Sequence, residues 1–362
     1  MGQVMAWGAL DVHVRSTVAA SVDVVSGELR VQRMAGGIEP AVAWCRALRA
    51  PARVTYEAGP TGFGLARALG EHEIDCLVCA PGLVPRAPRD RVKTDRRDAE
   101  RLVRLLMAGE LAAVRVPTPA EEGLRDLVRA REDVRVDLTR SRHRLGKQLL
   151  RHDVRFEGPG ENWTQRHLQW LAGVQLPDRA AQAAFADYLD AVRSLMIRRD
   201  RLEREIAALV PGSCWAEDVA RLRCLRGIDT LSAIGLCVEV GDFARFARPA
   251  KLMSFLGVVP SENSSGDKRR QGAITKAGSG HARRLLVEAA WHYRRAPRRG
   301  TTLLRRQDGQ PEHICQISWN AQQRLYRTWR RLDHERGKRR TIAAVAVARE
   351  LAGFCWAITT AD

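Results

Sequence analysis

The chain contains no apolar run approaching the ~20 residues a membrane-spanning helix needs. Its longest candidate, residues 342–358, is interrupted by Arg349 and Glu350. The opening MGQVMAWGALDVHV lacks a basic stretch followed by a long apolar core, so no secretory signal is expected and a cytoplasmic location is. Zinc-site spacing is missing as well. The eight cysteines, at 45, 76, 79, 214, 224, 237, 315 and 355, lie among apolar neighbours, as small buried side chains do in a reducing compartment. Cys76 and Cys79 form one CxxC inside the strand-like IDCLVCAPG, but no second CxxC or HxxxH follows it at metal-site spacing. Acidic charge is in short supply too. The 42 Asp and Glu face 60 Lys and Arg, giving a formal charge of +18 over 362 residues. The excess is spread along the chain, and with membrane insertion set aside it predicts a polyanionic partner, a nucleic acid.

The length allows two or three domains with real cores. Residues 5–12, 16–25 and 28–34 read as strands, the last two joined by a tight Ser26-Gly27 turn. A helix over 38–50, a strand over 52–57, a short helix opened by GPTGFG, a strand over 74–79 and a helix after a Pro-rich loop complete the order βββαβαβα. A three-strand meander followed by alternating helix and strand is the topology of the ribonuclease H-like α/β fold.

In such a sheet, sites gather at the carboxyl ends of the strands. Asp11 lies near the end of the first strand (WGALDVH) and Glu57 at the end of the fourth (VTYEAGP). The last helix of the region, within VKTDRRDAERLVRLL, carries Ala99, Leu102, Val103 and Leu106 on one face, and Asp95 and Asp98 continue that stripe one turn back. Taken singly, each acid has an ordinary explanation: Asp95 as N-cap, Asp98 as a first-turn acid, Asp11 and Glu57 as solvated turn residues. Together, four carboxylates from three elements cannot stay ionised in one place unless cations neutralise them, which two Mg²⁺ ions would do.

Residues 117–211 turn helical and basic. Leu124, Leu127, Val134, Leu138 and Leu145, then Phe185, Leu189, Val192, Met196, Ile206 and Leu209, recur at roughly heptad spacing, interrupted by Arg131, Ser141 and Arg199. A helical linker packed on its neighbours and a dimerising coiled coil both fit this pattern. The outward Arg125, Arg129, Arg135, Arg140, Arg144, Lys147 and Arg151 suit a phosphate backbone. Further on, LRCLRGIDTLSA at 222–233 is similar to a helix-hairpin-helix that offers amides to a phosphate, although a helix C-cap at Gly227 also accounts for the glycine. The segment PSENSSGDKRRQGAITKAGSGHARRLL then sets Ser264 and Ser265 before Gly266, with Lys268, Arg269, Arg270 and Lys276 close behind. A flexible turn explains Ser-Ser-Gly; so does a nucleophilic hydroxyl flanked by cations that stabilise a phosphorane-like transition state. The tail from Glu312 onward reads as helical packing, with nothing catalytic evident.

GALDVH at 8–13, YEAGPTGFGL at 56–65, KTDRRDAERL at 93–102, LRGIDTLSA at 225–233, FLGVVPSENSSGDKRRQGAITKAG at 255–278 and HARRLLVEAA at 281–290 stand in this order along nearly the whole chain. As a set they resemble the DEDD transposases of the insertion-sequence-one-ten class, relatives of the Piv and MooV DNA invertases. The resemblance implies a RuvC-like domain over 1–116, a helical coiled-coil region over 117–213 serving oligomerisation and nucleic-acid binding, and a mainly α C-terminal transposase domain over 214–362. It further implies Asp11, Glu57, Asp95 and Asp98 as catalytic metal ligands for Mg²⁺ or Mn²⁺. The implied nucleophile is the serine before the glycine, Ser265, with Ser264 as the alternative. Arg129, Arg135, Arg144, Lys147, Lys268, Arg269, Arg270 and Lys276 are the expected nucleic-acid contacts. Expected partners are donor and target double-stranded DNA, a structured noncoding (bridge) guide RNA, and further copies of the chain as dimers assembling to tetramers, in a nucleoid-associated bacterial protein. A Holliday-junction-resolvase-like metal nuclease without a covalent intermediate is the rival enzyme. A nucleic-acid-binding protein whose acids are merely structural is the rival of another class.

Overall fold

The computed structural model describes residues 3–85, 94–160, 162–263 and 270–361, and these fall into two compact units, Met1–Thr118 and Pro119–Asp362. The first unit is mixed α/β. Strands β1 (Ala6–Val12), β2 (Ser16–Asp23) and β3 (Leu29–Ala35) form an antiparallel meander, and β4 (Ala52–Glu57) and β5 (Asp75–Cys79) extend it in parallel, in the order β3-β2-β1-β4-β5. This sheet is compatible with a ribonuclease H-like fold.

Alternation along β1 divides the core into two layers. Leu10 faces one side with Val54, Tyr56 and Val78, covered by α1 (Ile38–Arg46) and α2 (Gly64–Glu71). Ala9 faces the other side with Val18 and Ala20, covered by Ala99, Leu102, Val103 and Leu106 of α3 (Asp95–Met107). Two local expectations need correction. The Ser26-Gly27 link is a longer loop, because β2 ends at Asp23, whose carboxylate accepts the N–H groups of Val25 at 2.8 Å and Ser26 at 2.9 Å. Helix α1 stops at Arg46, short of residue 50, since Pro51 disfavours helical backbone just before it and the chain must extend into β4.

The second unit is helical. α4 (Pro119–Arg151) and α6 (Arg179–Leu209) form an antiparallel pair: Gln148 Nε2 near the end of one donates to Ala181 O near the start of the other at 3.0 Å. The heptad seam is used within the chain, Leu138, Leu145 and Leu149 packing with Phe185, Leu189 and Val192. Its interruptions are accommodated: Ser141 is buried, and Arg131 Nε donates to Glu203 Oε1 of α6 at 2.9 Å. α5 (Gln165–Gly173) closes the far end of the pair. At the near end, Leu124, Val128, Ile206 and Val210 join one large core with α7 (Ala216–Leu222), α8 (Thr230–Val240), α9 (Pro249–Phe255), α10 (Gly280–Ala290), α12 (Glu312–Arg330) and α13 (Arg340–Thr359), while α11 (Thr301–Gln307) packs at the surface. Among the described residues α13 is the one helix long and apolar enough to cross a membrane. Ala344, Val347, Ala348 and Leu351 are fully buried in the core, and Glu350 is tied to Arg324 Nε at 2.8 Å. A short hairpin, β6 (Pro260–Glu262) and β7 (Gln271–Ile274), flanks the Ser-Ser-Gly segment, in a stretch whose residue pattern predicts a loop.

Candidate active site

Parallel pairing of Leu10 with Tyr56 sets Asp11 beside Glu57 at the carboxyl ends of neighbouring strands, and alternation turns both toward the face covered by α3. Thr94, not Asp95, caps α3: its Oγ1 accepts the Arg97 N–H at 3.3 Å. Asp95 and Asp98 therefore both lie in the first turn, where unpaired amides favour negative charge. Ligand atoms of Asp11, His13 and Asp95 all lie within 4.8 Å of one another, the tight group of possible metal ligands among the described residues.

Each acid has a different environment. Asp98 is 7% exposed, and Arg101, one turn along, brings its Nη2 to 2.6 Å of Oδ1. Asp95 is half-exposed with Arg33 Nη2 at 3.7 Å. Asp11 lies 3.3 Å from His13 Nε2. Burial pushes the Asp11 carboxyl above its ordinary 3.8; His13 opposes this, while the charges of Asp95 and Asp98 push further up. A carboxylate raised by burial and by like neighbours is one that a cation would relieve. Carboxylate oxygens with one imidazole at the carboxyl ends of the central strands are a donor set that fits a divalent ion. Glu57 borders this set and is partly buried. The acid spacing did not point to His13, Arg33 or Arg101. His13, two residues after Asp11 and beyond the strand's end, and Arg101, three after Asp98, carried the available signals.

Ser264, Ser265, Lys268 and Arg269 lie outside the described residues. Asn263 N donates to Arg270 O at 2.9 Å across the hairpin, and Lys276 N donates to Gly257 O at 3.0 Å. Gly278, at φ +64°, packs so tightly that an added Cβ would meet Phe255 O at 2.2 Å. Arg283 of α10 donates to Leu256 O at 3.2 Å and Gly278 O at 3.1 Å, and also to Ala277 O. Both strands thus rise from a base locked to α10, with Arg270 and Lys276 exposed.

The expected nucleic-acid contacts divide. Arg129 forks onto Glu239 of α8 at 2.9 and 3.1 Å. Arg135 forks onto Glu132 at 2.9 and 2.8 Å, and Glu132 also accepts from Arg284 of α10 at 3.0 and 2.7 Å. Burial alone would raise Glu239, but donors from His281, Arg129 and Ser279 hold it at about 2. His281 Nδ1 is 3.8 Å away, beyond hydrogen-bonding reach, so the Arg129 fork is the main restraint. Arg129 ties α4 to α8, and Arg135 holds Glu132, which in turn accepts from Arg284 of α10, whereas Arg144 and Lys147 are exposed. The helix-hairpin-helix-like turn differs from expectation as well: α7 ends at Leu222, well before Gly227, and Asp229 caps α8 by accepting the Ser232 N–H at 2.8 Å.

A mixed α/β unit ending in a carboxylate group suited to a divalent ion, with a helical unit following it, defines the class. Comparison with known proteins narrows it. Residues 9–152 match a transposase family model of the DEDD IS110 type, and residues 219–305 match the Transposase IS116/IS110/IS902 family. A putative transposase, y4qE, of Sinorhizobium fredii (strain NBRC 101917 / NGR234) is 41% identical over 349 residues, covering 95% of this chain and 86% of that protein. The transposase for insertion sequence element IS1533 of Leptospira borgpetersenii is 32% identical over 285 residues, covering 78% of this chain and 82% of its own. The chain belongs to the IS110 family of DEDD transposases.

Proposed function

We propose that the protein is a DNA transposase and site-specific recombinase that cuts and rejoins strands through a covalent serine–DNA intermediate. The carboxylate group at the carboxyl ends of the central strands carries this reading, with Asp11, His13 and Asp95 drawn within 4.8 Å and Asp98 buried. Asp11, Glu57, Asp95 and Asp98 would hold Mg²⁺ or Mn²⁺. A bound divalent ion supplies neutralisation of the phosphate charge and of the oxygens that enter and leave.

The remaining chemistry belongs to the chain. Ser265 Oγ gives up its proton as it forms a bond to phosphorus, one phosphodiester P–O bond breaks, and the departing DNA oxygen takes up a proton in exchange, so the step is proton-neutral. A hydroxyl of the exchanged strand then attacks the adduct, releases the serine and restores a phosphodiester, so bond energy is conserved without water. Arg270, Lys276 and the neighbouring Lys268 and Arg269 supply positive charge where negative charge develops. Arg144 and Lys147, exposed on α4, meet the phosphate backbone of DNA or of a structured guide RNA, and copies of the chain pair into dimers and then tetramers.

The test is a strand-exchange reaction containing Mg²⁺, donor and target DNA and RNA transcribed from the element's flanks, resolved on denaturing gels with and without protease. A protease-sensitive DNA shift, absent from Ser265→Ala and from Asp11→Asn, is expected. Free nicked ends that persist in Ser265→Ala would establish a hydrolytic metal nuclease instead.

A further inference from the structure

At the far end of the α4–α6 pair a cavity of about 540 Å³ opens between the last turns of α4, the chain after it, and α5. Four rings gather there. Phe156 and Trp170 lie 5.3 Å apart, His167 packs between them at 5.0 and 5.4 Å, and Trp163 meets His167 edge-on at 5.1 Å. The size is that of a small-molecule site. Its charge has one sign: Arg142, Lys147 and Arg155 line it, and no carboxylate does among the described residues.

Three details separate it from an ordinary aromatic core. Trp163 holds φ +70°, a conformation bulky residues rarely adopt and one that gathers at ligand clamps. Arg142 lies 4.7 Å over the Trp163 ring, yet its buried Nε has no hydrogen-bond partner. His167 Nδ1 accepts the Trp163 N–H at 3.2 Å, and burial, with Arg142 nearby, lowers its pKa, so the imidazole is a neutral ring fixed in place. Rings held at the surface, a guanidinium with unspent donor capacity and surrounding cations are what stack and hold a base next to its phosphates. Asn162 adds an amide suited to a base edge.

We infer that this pocket binds an unpaired nucleotide of a nucleic-acid strand, its base stacked among Phe156, Trp163 and Trp170 and its flanking phosphates met by Arg142 and Lys147. Such a site presupposes the nucleic-acid partnership proposed above and adds to it a place for one extruded base. Paired duplex, whose bases are stacked on each other, cannot use it.

The experiment measures binding of the full-length protein to short labelled duplexes by fluorescence anisotropy. One probe is fully paired and one carries a single unpaired adenosine, each made in DNA and in RNA. The unpaired base is expected to tighten binding about tenfold or more. That gain should vanish in Trp163→Ala and shrink in Arg142→Gln, while affinity for the paired probe is unchanged by Trp163→Ala. The sugar that gives the larger gain identifies the source of the nucleotide. A second readout needs no variant: 5-bromouridine at the unpaired position should photocrosslink to the peptide holding Trp163 or Trp170. Equal affinity for paired and bulged probes in both series, a gain that survives Trp163→Ala, or a crosslink mapping elsewhere would each overturn the assignment. Formation of the Ser265 adduct on paired DNA is independent of all three, so failure here and failure of the recombinase reading are distinguishable.

Discussion

Asp98 is a buried carboxylate held by one guanidinium, and the pair must be considered together. Arg101→Ala would leave the charge of Asp98 without its 2.6 Å partner and should cost about 1–3 kcal/mol of stability, read by urea denaturation. Asp11 behaves oppositely. Because burial and like charges already raise its carboxyl, Asp11→Asn should leave the unliganded protein as stable as before or more so, by up to about 1 kcal/mol, while strand exchange falls at least ~100-fold with duplex affinity kept. Loss of duplex affinity in step with activity would return the acids to a structural role. Glu239 sets a pH dependence. Its folded value of about 2 lies below its ordinary 4.5, so the stability it contributes is fully present above about pH 4.5 and is lost as pH falls toward 2. Glu239→Gln should flatten acid unfolding of the second unit over that interval, followed by circular dichroism.

At the scale of elements, the hairpin of β6 and β7 depends on a close backbone approach. Gly278→Ala must place a Cβ against Phe255 O at positive φ, and about 1–3 kcal/mol of strain is expected, with recombination lost sooner than global fold on warming. The first unit was largely legible in the residues because its strands alternate and its α3 face repeats at helical spacing: β4 is found over 52–57 as the pattern predicts, and all four acids belong to the elements foreseen for them. What was not legible has physical reasons. Periodicity reports which side of an element is apolar, not which charged group another element will present, so Arg33 of β3 beside Asp95 was invisible. For the same reason Arg129 looked like an open phosphate contact, while Glu239, more than a hundred positions away, engages it; Arg135 had a partner in sight in Glu132, three residues earlier on the same helix. The hairpin strands are only three and four residues long, too short for alternation to register.

On the scale of the whole molecule, a formal charge of +18 makes nucleic-acid binding steeply salt-dependent. Not every arginine contributes. Replacing Arg144 and Lys147 together by Gln should lower the slope of log K against log salt by about two, whereas Arg129→Gln should leave the slope nearly unchanged and act on stability instead, since that guanidinium is committed to Glu239. A large slope change from Arg129→Gln would mean that the ion pair opens on binding. The central claim proposed above, that Ser265 and the acids of the first unit serve one covalent strand transfer, is tested most directly by mass spectrometry of protein stalled on DNA. Protease digestion and nucleotide trimming should leave a nucleotide on the peptide spanning Ser264 and Ser265, positioned on Ser265, with Mg²⁺ present and not when Asp98 is replaced by Asn. Cleaved DNA without any nucleotide on that peptide would contradict the account.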